Sequence, residues 1–187
     1  MFIQKNEEHT GDLYYDAMEL LDGSRSGAKE ALKLLEKALE LDLNYVQTYI
    51  GFVQAYGSLG DKIKARENIK KAFELTQEQF PKWPKEMPWG DIDNRAYLRA
   101  IGWMADEYAD NGKKSEAEEL YRLLLKLNPN DNQGIRYTMA GLCAGISGRE
   151  INKMFDEGNK KQNWDKLRDL VKEQNKKHKF WKEPKYD

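Results

Sequence analysis

One cysteine, two histidines and five prolines in 187 residues remove several classes of protein at once. A lone thiol, Cys143, cannot form an internal disulfide. A stapled secreted scaffold is therefore excluded, and a reducing, cytoplasmic setting is expected. His9 and His178 stand near opposite ends, neither with a metal-ligating residue four positions on, so no metal site is expected. An excess of one charge is also missing. Lys plus Arg number 31 against 32 Asp plus Glu, a net charge of −1 that excludes a uniformly basic nucleic-acid binder. Long hydrophobic runs are lacking: Tyr137 to Ile146, the longest low-charge stretch, is interrupted by Gly141 and Gly145. It reaches about half of the roughly 20 residues that a membrane helix needs. Met1 to Glu8 offers no apolar signal-peptide core, and no membrane partner is expected.

What remains is a polar chain, 40% hydrophobic and 34% charged, with a mean hydropathy of −0.89. That balance suits helices with one buried stripe and a wide wet face. Prolines fall at 81, 84, 88, 129 and 184, so helix is permitted almost everywhere. Ala31, Leu34, Leu35, Ala38, Leu39 and Leu41 trace one helical stripe, and Ala117, Leu120, Tyr121, Leu124 and Leu127 trace another. No apolar–polar alternation is long enough for a sheet. The expected class is all-α.

Internal repetition sharpens this. Tyr15, Ala31, Ala38 and Leu41 recur 34 residues later as Tyr49, Ala65, Ala72 and Leu75. Tyr56, Ala65 and Leu75 recur 52 residues later as Tyr108, Ala117 and Leu127, the same period plus an insertion of 18. Each unit reads as one helix with aromatics, a glycine turn (Leu59-Gly60-Asp61, Asn111-Gly112) and a second helix with alanines. Small residues suit close helix approach, glycine permits the positive φ of a turn, and Pro129 ends its helix at Asn128.

These residues and spacings resemble the tetratricopeptide repeat. The resemblance implies a right-handed superhelix of about three to four helix pairs. Its units are expected at 12–45, 46–79 and 98–131, with a degenerate one at 132–158, following a lead-in at 1–11. In the first unit Asp22 and Ser26-Gly27 replace the usual turn residues, as a capping unit would tolerate. In the fourth, Ile135, Thr138 and Leu142 are expected inward. An insertion at about 77–93 holds Pro81, Trp83, Pro84, Pro88 and Trp89. It is expected to pack back onto the helices, either plugging a seam between repeats or lining the binding face. Residues 159–187 are expected to form a basic capping helix and tail. Asn163 would cap that helix, and Trp164, Leu167, Leu170, Val171, Gln174 and His178 would form its stripe.

Catalytic chemistry has little to work with. Cys143 lies among Ala140, Gly141, Ala144 and Gly145 with no neighbouring base or cation, as a buried packing thiol would. Gly141, Gly145, Gly148 and Arg149 lack the ending of a phosphate loop, and the two glycines are read as close-approach positions. No enzyme, cofactor or metal is expected.

The resemblance places function in a concave groove lined by the first helix of each pair, holding a partner peptide or helix. It carries over Gln47, Ile50, Gly51 and Gln54 from the second unit and Arg99, Trp103, Asp106 and Asp110 from the third. The fourth would add Gln133, Arg136 and Tyr137. Ile50, Gly51, Gln54 and Gly102 stand where the subclass that grips C-terminal carboxylates needs Lys and Asn, which excludes that subclass. Two alternatives stay open. Residues 159–187 carry ten Lys/Arg against five Asp/Glu, leaving 21 against 27 elsewhere, with Trp164, Phe180, Trp181 and Tyr186 interleaved. Such a tail could grip nucleic acid or another acidic surface. An uncovered apolar seam could instead pair two copies of the chain as a homodimer.

Overall fold

The computed structural model describes residues 9–184. Most of the expected lead-in and Tyr186 of the tail lie outside that range. The chain divides at Pro81/Lys82 into two compact units. The first holds α1 (Thr10–Glu19), α2 (Arg25–Leu41), α3 (Val46–Leu59) and α4 (Lys62–Gln79). The second holds α5 (Asn94–Asp110), α6 (Lys114–Leu127), α7 (Ile135–Ala144), α8 (Gly148–Lys161) and α9 (Asp165–His178). Every element among the described residues is helical, and within each unit helices adjacent in sequence pack against one another, a helix-pair repeat architecture.

In the first unit α1 pairs with α2, α3 with α4, and α2 packs against α3. Ala17, Ala28, Ala31, Ala38 and Ala55 are fully buried, so the helices approach closely. Gly51 is part of that seam. A Cβ there would lie 2.5 Å from Leu35 Cδ2, far inside the ~3.5 Å at which carbons rest. Gly51 therefore admits α2 and offers no groove surface.

The turn between α3 and α4 repeats in the second unit. Gly60 takes φ 79° and Asp61 N–H donates to Tyr56 O at 2.9 Å; Gly112 takes φ 75° and Lys113 N–H donates to Tyr108 O at 2.8 Å. The glycine's left-handed backbone lets the chain reverse while a late helix carbonyl still finds a donor. Here the 52-residue repetition is geometric as well as sequential. The first pair turns differently. Gly23 carries the positive φ, 87°, and Ser24 caps α2 by accepting from Gly27 N–H at 2.9 Å. Ser26-Gly27 is thus inside a helix rather than at the turn.

Three repeat positions separate on inspection. Tyr15 is 49% exposed while Tyr14 is buried, so Tyr15 is not the structural counterpart of buried Tyr49. Leu41, at the last residue of α2, is 54% exposed, whereas Leu75 and Leu127 are buried. Ala65 is half-buried where Ala117 is fully enclosed.

In the second unit α5 pairs with α6, α7 packs on α6, and α8 and α9 both pack on α7. The insertion runs from Phe80 rather than Gln77, because α4 continues to Gln79. Met87 anchors it: the side chain is buried and its N–H donates to Leu127 O at 2.6 Å. Trp83 and Trp89 are half-buried. In α7 the buried residues are Ile135, Met139, Ala140 and Gly141, one position off the expected stripe, so Thr138 and Leu142 are only half-buried. Gly141 is a close-approach residue, with Ile151 Cγ1 2.6 Å from where its Cβ would be. Gly145 is not; it ends α7 at φ 71° with open space around it.

A capping box starts α8. Ser147 accepts from Glu150 N–H, and Glu150 accepts in turn from Ser147 N–H at 3.0 Å. Because α8 runs to Lys161, a boundary at 159 falls inside a helix. Asn163 accepts from Asp165 N–H at 2.8 Å at the start of α9, one residue outside the N-cap position held by Trp164. Leu167, Val171 and Gln174 are buried as expected. His178, the last residue of α9, is exposed, and its carbonyl accepts from Arg122 Nη2.

Candidate functional site

The site is built on α5. Its inner face is Ala96, Leu98, Ala100, Ile101, Gly102, Met104 and Ala105, all buried, and four of these seven are alanine or glycine. That leaves Arg99, Trp103, Asp106 and Asp110 on the other side, spaced 4, 3 and 4 residues apart along one face. Arg99 and Trp103 are half-buried, and Asp106 and Asp110 are exposed.

The N-terminal half of this face is cationic. The Trp89 ring carries Arg95 at 5.3 Å and Arg99 at 5.4 Å from its centroid, while Arg95 Nε donates to Trp89 O at 2.9 Å. The insertion therefore orients Arg99 through Trp89.

The C-terminal half borders a cavity of about 640 Å³, walled by α5, α6, α7 and the start of α8. Asp106 and Tyr121 meet there, the fully buried Tyr121 hydroxyl donating to Asp106 Oδ1 at 2.6 Å. Desolvation by the surrounding walls pushes the Asp106 carboxyl above its usual range, opposed by that hydrogen bond and reinforced by Asp110 and Glu107. Asp106 thus lies on the wall of the cavity and keeps contact with solvent. Tyr121 is pushed up too, first by burial and then by the charge of Asp106.

The other expected groove residues divide. Gln47 and Gln54 are half-buried on α3. Ile50 is fully enclosed and offers nothing to a partner, because α3 packs against α1, α2 and α4. Gln133 Nε2 donates to Leu98 O at 3.3 Å, so this side chain ties α5 to the α6–α7 loop. Arg136 is committed internally. It pairs with buried Asp131 at 2.8 Å, and lies 4.4 Å from the Tyr137 ring centroid and 5.0 Å from that of Trp181. Asp131 also accepts from Ile135 N–H and Arg136 N–H; burial pushes its carboxyl up while these donors and the guanidinium pull it down. Tyr137 accepts from Arg136 Nη2 and packs edge-on to Phe155.

Trp181 was not foreseen in this role. Its indole N–H donates to Pro129 O at 3.0 Å, and Asn175 brackets its backbone with two hydrogen bonds. Phe180 beside it is buried, and Trp164 packs on Gly158. The tail aromatics within the described residues are therefore engaged in packing rather than free to stack bases. Lys166, Arg168 and Lys177 pair with Glu157, Asp165 and Glu173.

Among the described residues no group of three or more His, Cys, Asp or Glu could hold a metal ion. None of their helices is long and apolar enough to cross a membrane. A helix-pair repeat with a polar, aromatic-bearing face is the class this geometry defines. The tetratricopeptide repeat family model matches residues 46–79 and 98–131, which span the α3–α4 pair and, from Leu98 onward, the α5–α6 pair with the loop after it. The chain thus carries a tetratricopeptide-like repeat region over part of its length. No match was found among curated proteins or among solved structures.

Proposed function

We propose that the chain is a non-enzymatic protein-interaction scaffold, and that its groove takes a partner peptide or helix against the outer face of α5. The carrying observation is the line Arg99, Trp103, Asp106 and Asp110 beside an open cavity, on the helix whose inner face is given over to packing. An aromatic between charged groups is the composition of an interface anchor. Gln47 and Gln54 present the corresponding positions of α3. Arg136 and Tyr137 belong to the unit's internal framework, since their polar groups are already used there. A cytoplasmic setting belongs to the same proposal, supported by the lone Cys143, whose thiol burial pushes up and keeps protonated.

The test is selection from a displayed random-peptide library on the full chain, with binders re-measured on Trp103→Ala. The proposal expects binders that lose about tenfold or more affinity on Trp103→Ala, as an interface tryptophan does. Binders indifferent to Trp103→Ala, or none after exhaustive selection, would reject it.

A further inference from the structure

We infer that the cavity beside Asp106 and Asp110 is a receptor for a basic side chain, lysine or arginine, of the bound segment. The inference deepens the scaffold reading, resting on it for the origin of the segment but not for the pocket itself.

The chemistry follows from the lining of the cavity. Ala109, Leu142, Ile146 and Ile151 supply apolar wall, suited to the methylene stem of a long cationic side chain. Asp106 lines the cavity beside Tyr121, whose hydroxyl donates to its Oδ1. Tyr121 satisfies only Oδ1; Oδ2 has no hydrogen-bond partner among the described residues. Asp110 stands one turn further along the same face and is in no ion pair among those residues. Two carboxylates one helical turn apart repel each other unless a cation joins them. The cavity also has a basic side, since Lys114 and Arg149 line it. Both are exposed residues at helix starts, where water solvates them, and neither reaches Asp106 or Asp110 within ion-pair distance. An anion against α5 would meet the Asp106 and Asp110 carboxylates, whereas a cation there would meet a donor-free oxygen. The volume of about 640 Å³ exceeds one side chain, leaving room for the backbone that carries it.

The face of α5 then reads with a polarity. Arg99 lies seven residues before Asp106, about 10 Å along the helix. A segment with its basic residue in the cavity places a residue about three positions away, if extended, over Arg99 and Trp103.

The probe is N-acetyl-arginine amide, titrated into isotope-labelled full chain and followed by amide NMR shifts. N-acetyl-citrulline amide, which matches it in shape without the charge, and N-acetyl-glutamate amide are the controls. Saturable shifts are expected at Asp106, Ala109, Asp110 and Asn152, with citrulline at least about fivefold weaker and the Asp106→Asn variant losing the preference. Asp110→Asn, at an exposed position, provides a second variant should Asp106→Asn fail to fold. No saturable shift at these amides, equal binding of citrulline, or tighter binding of glutamate would overturn the assignment. Library-selected peptides that need Trp103 but contain no required Lys or Arg would overturn it while leaving the scaffold reading intact. Arginine binding with no peptide ever selected would support the pocket and reject the scaffold.

Discussion

Alanine at Gly141 tests the packing that shapes the cavity. A Cβ there would lie 2.6 Å from Ile151 Cγ1 and 2.8 Å from Cδ1, against the ~3.5–4.0 Å at which carbon atoms rest. Ile151 is 2% exposed, so either its side chain must turn toward the cavity it lines or α8 must shift away from α7 by about 1 Å. Overpacking of this kind costs about 1–3 kcal/mol, and the better helix propensity of alanine returns about 1 kcal/mol. The net is a loss of about 1 kcal/mol. Gly102 supplies the comparison within the same unit. It is also buried in mid-helix, but its Cβ would stand 3.6 Å from Gln133 Nε2 and 3.7 Å from Leu124 Cδ1, ordinary contact distances. Gly102→Ala should therefore gain about 0.5–1 kcal/mol. All five tryptophans lie beyond Pro81, so their fluorescence during urea denaturation reports this unit. A gap of about 1.5–2 kcal/mol between the two variants is expected. In addition, Ile151→Ala removes both clashing carbons, so in a double-mutant cycle it should cost at least about 1 kcal/mol less on Gly141→Ala than on the native chain. A Gly141→Ala variant as stable as Gly102→Ala, or strictly additive effects, would refute the close-approach argument.

Asp106→Asn should change the pH dependence of stability. A carboxyl raised above its unfolded value binds its proton more tightly in the folded chain, so stability falls as pH rises from about 3.8 through the folded value and is flat above it. Asparagine can still accept from Tyr121, so the variant should match or exceed native stability at neutral pH and lose that advantage in acid; urea midpoints across pH 3–7 would show the reverse if the carboxylate were a structural anchor. Asp131 is raised as well and contributes the same sign, so the slope should be reduced rather than abolished. Trp181→Ala removes the indole bond to Pro129 and the stacking on Arg136, about 2 kcal/mol together, and a thermal midpoint unchanged within error would show the C-terminal segment to be loosely laid.

How far the sequence could be read depended on whether the signal was local. The Gly60 and Gly112 turns, the alanine seams, the stop at Pro129 and the matched pairs at 46–79 and 98–131 are properties of short windows, and a 34-residue period exposes them. Ser147 and Glu150 carried a capping signature that was equally legible and went unread. Leu41 and Tyr15 misled because one matching residue type does not fix a helix face; a shift of one position turns a side chain by about 100°. The cavity was not legible. It requires Asp106, Tyr121 and Ile151 to meet from three helices, and nothing in the spacing of 106, 121 and 151 announces that. Trp181 was read as a tail aromatic interleaved among basic residues because its partners, Pro129 and Arg136, lie some fifty residues back.

Arg136 decides which helix can supply selectivity. A guanidinium that pairs with a buried carboxylate, donates to Tyr137 and lies under Trp181 has spent its charge and its faces inside the unit. To recruit it, a partner would have to displace the indole and compete with Asp131, leaving that carboxylate buried and unpaired, a costly exchange. Arg99 faces no such competition. Trp89 orients it, and a ring face leaves its hydrogen-bonding edge open. The same contrast holds for the acids: Asp131 is saturated by three donors, whereas Asp106 has one and a cavity in front of it. Charge on α7 therefore stabilises, and charge on α5 is left over for recognition. Replacing Arg136 should cost stability first and binding only through it, while replacing Asp106 should cost binding and leave the fold intact.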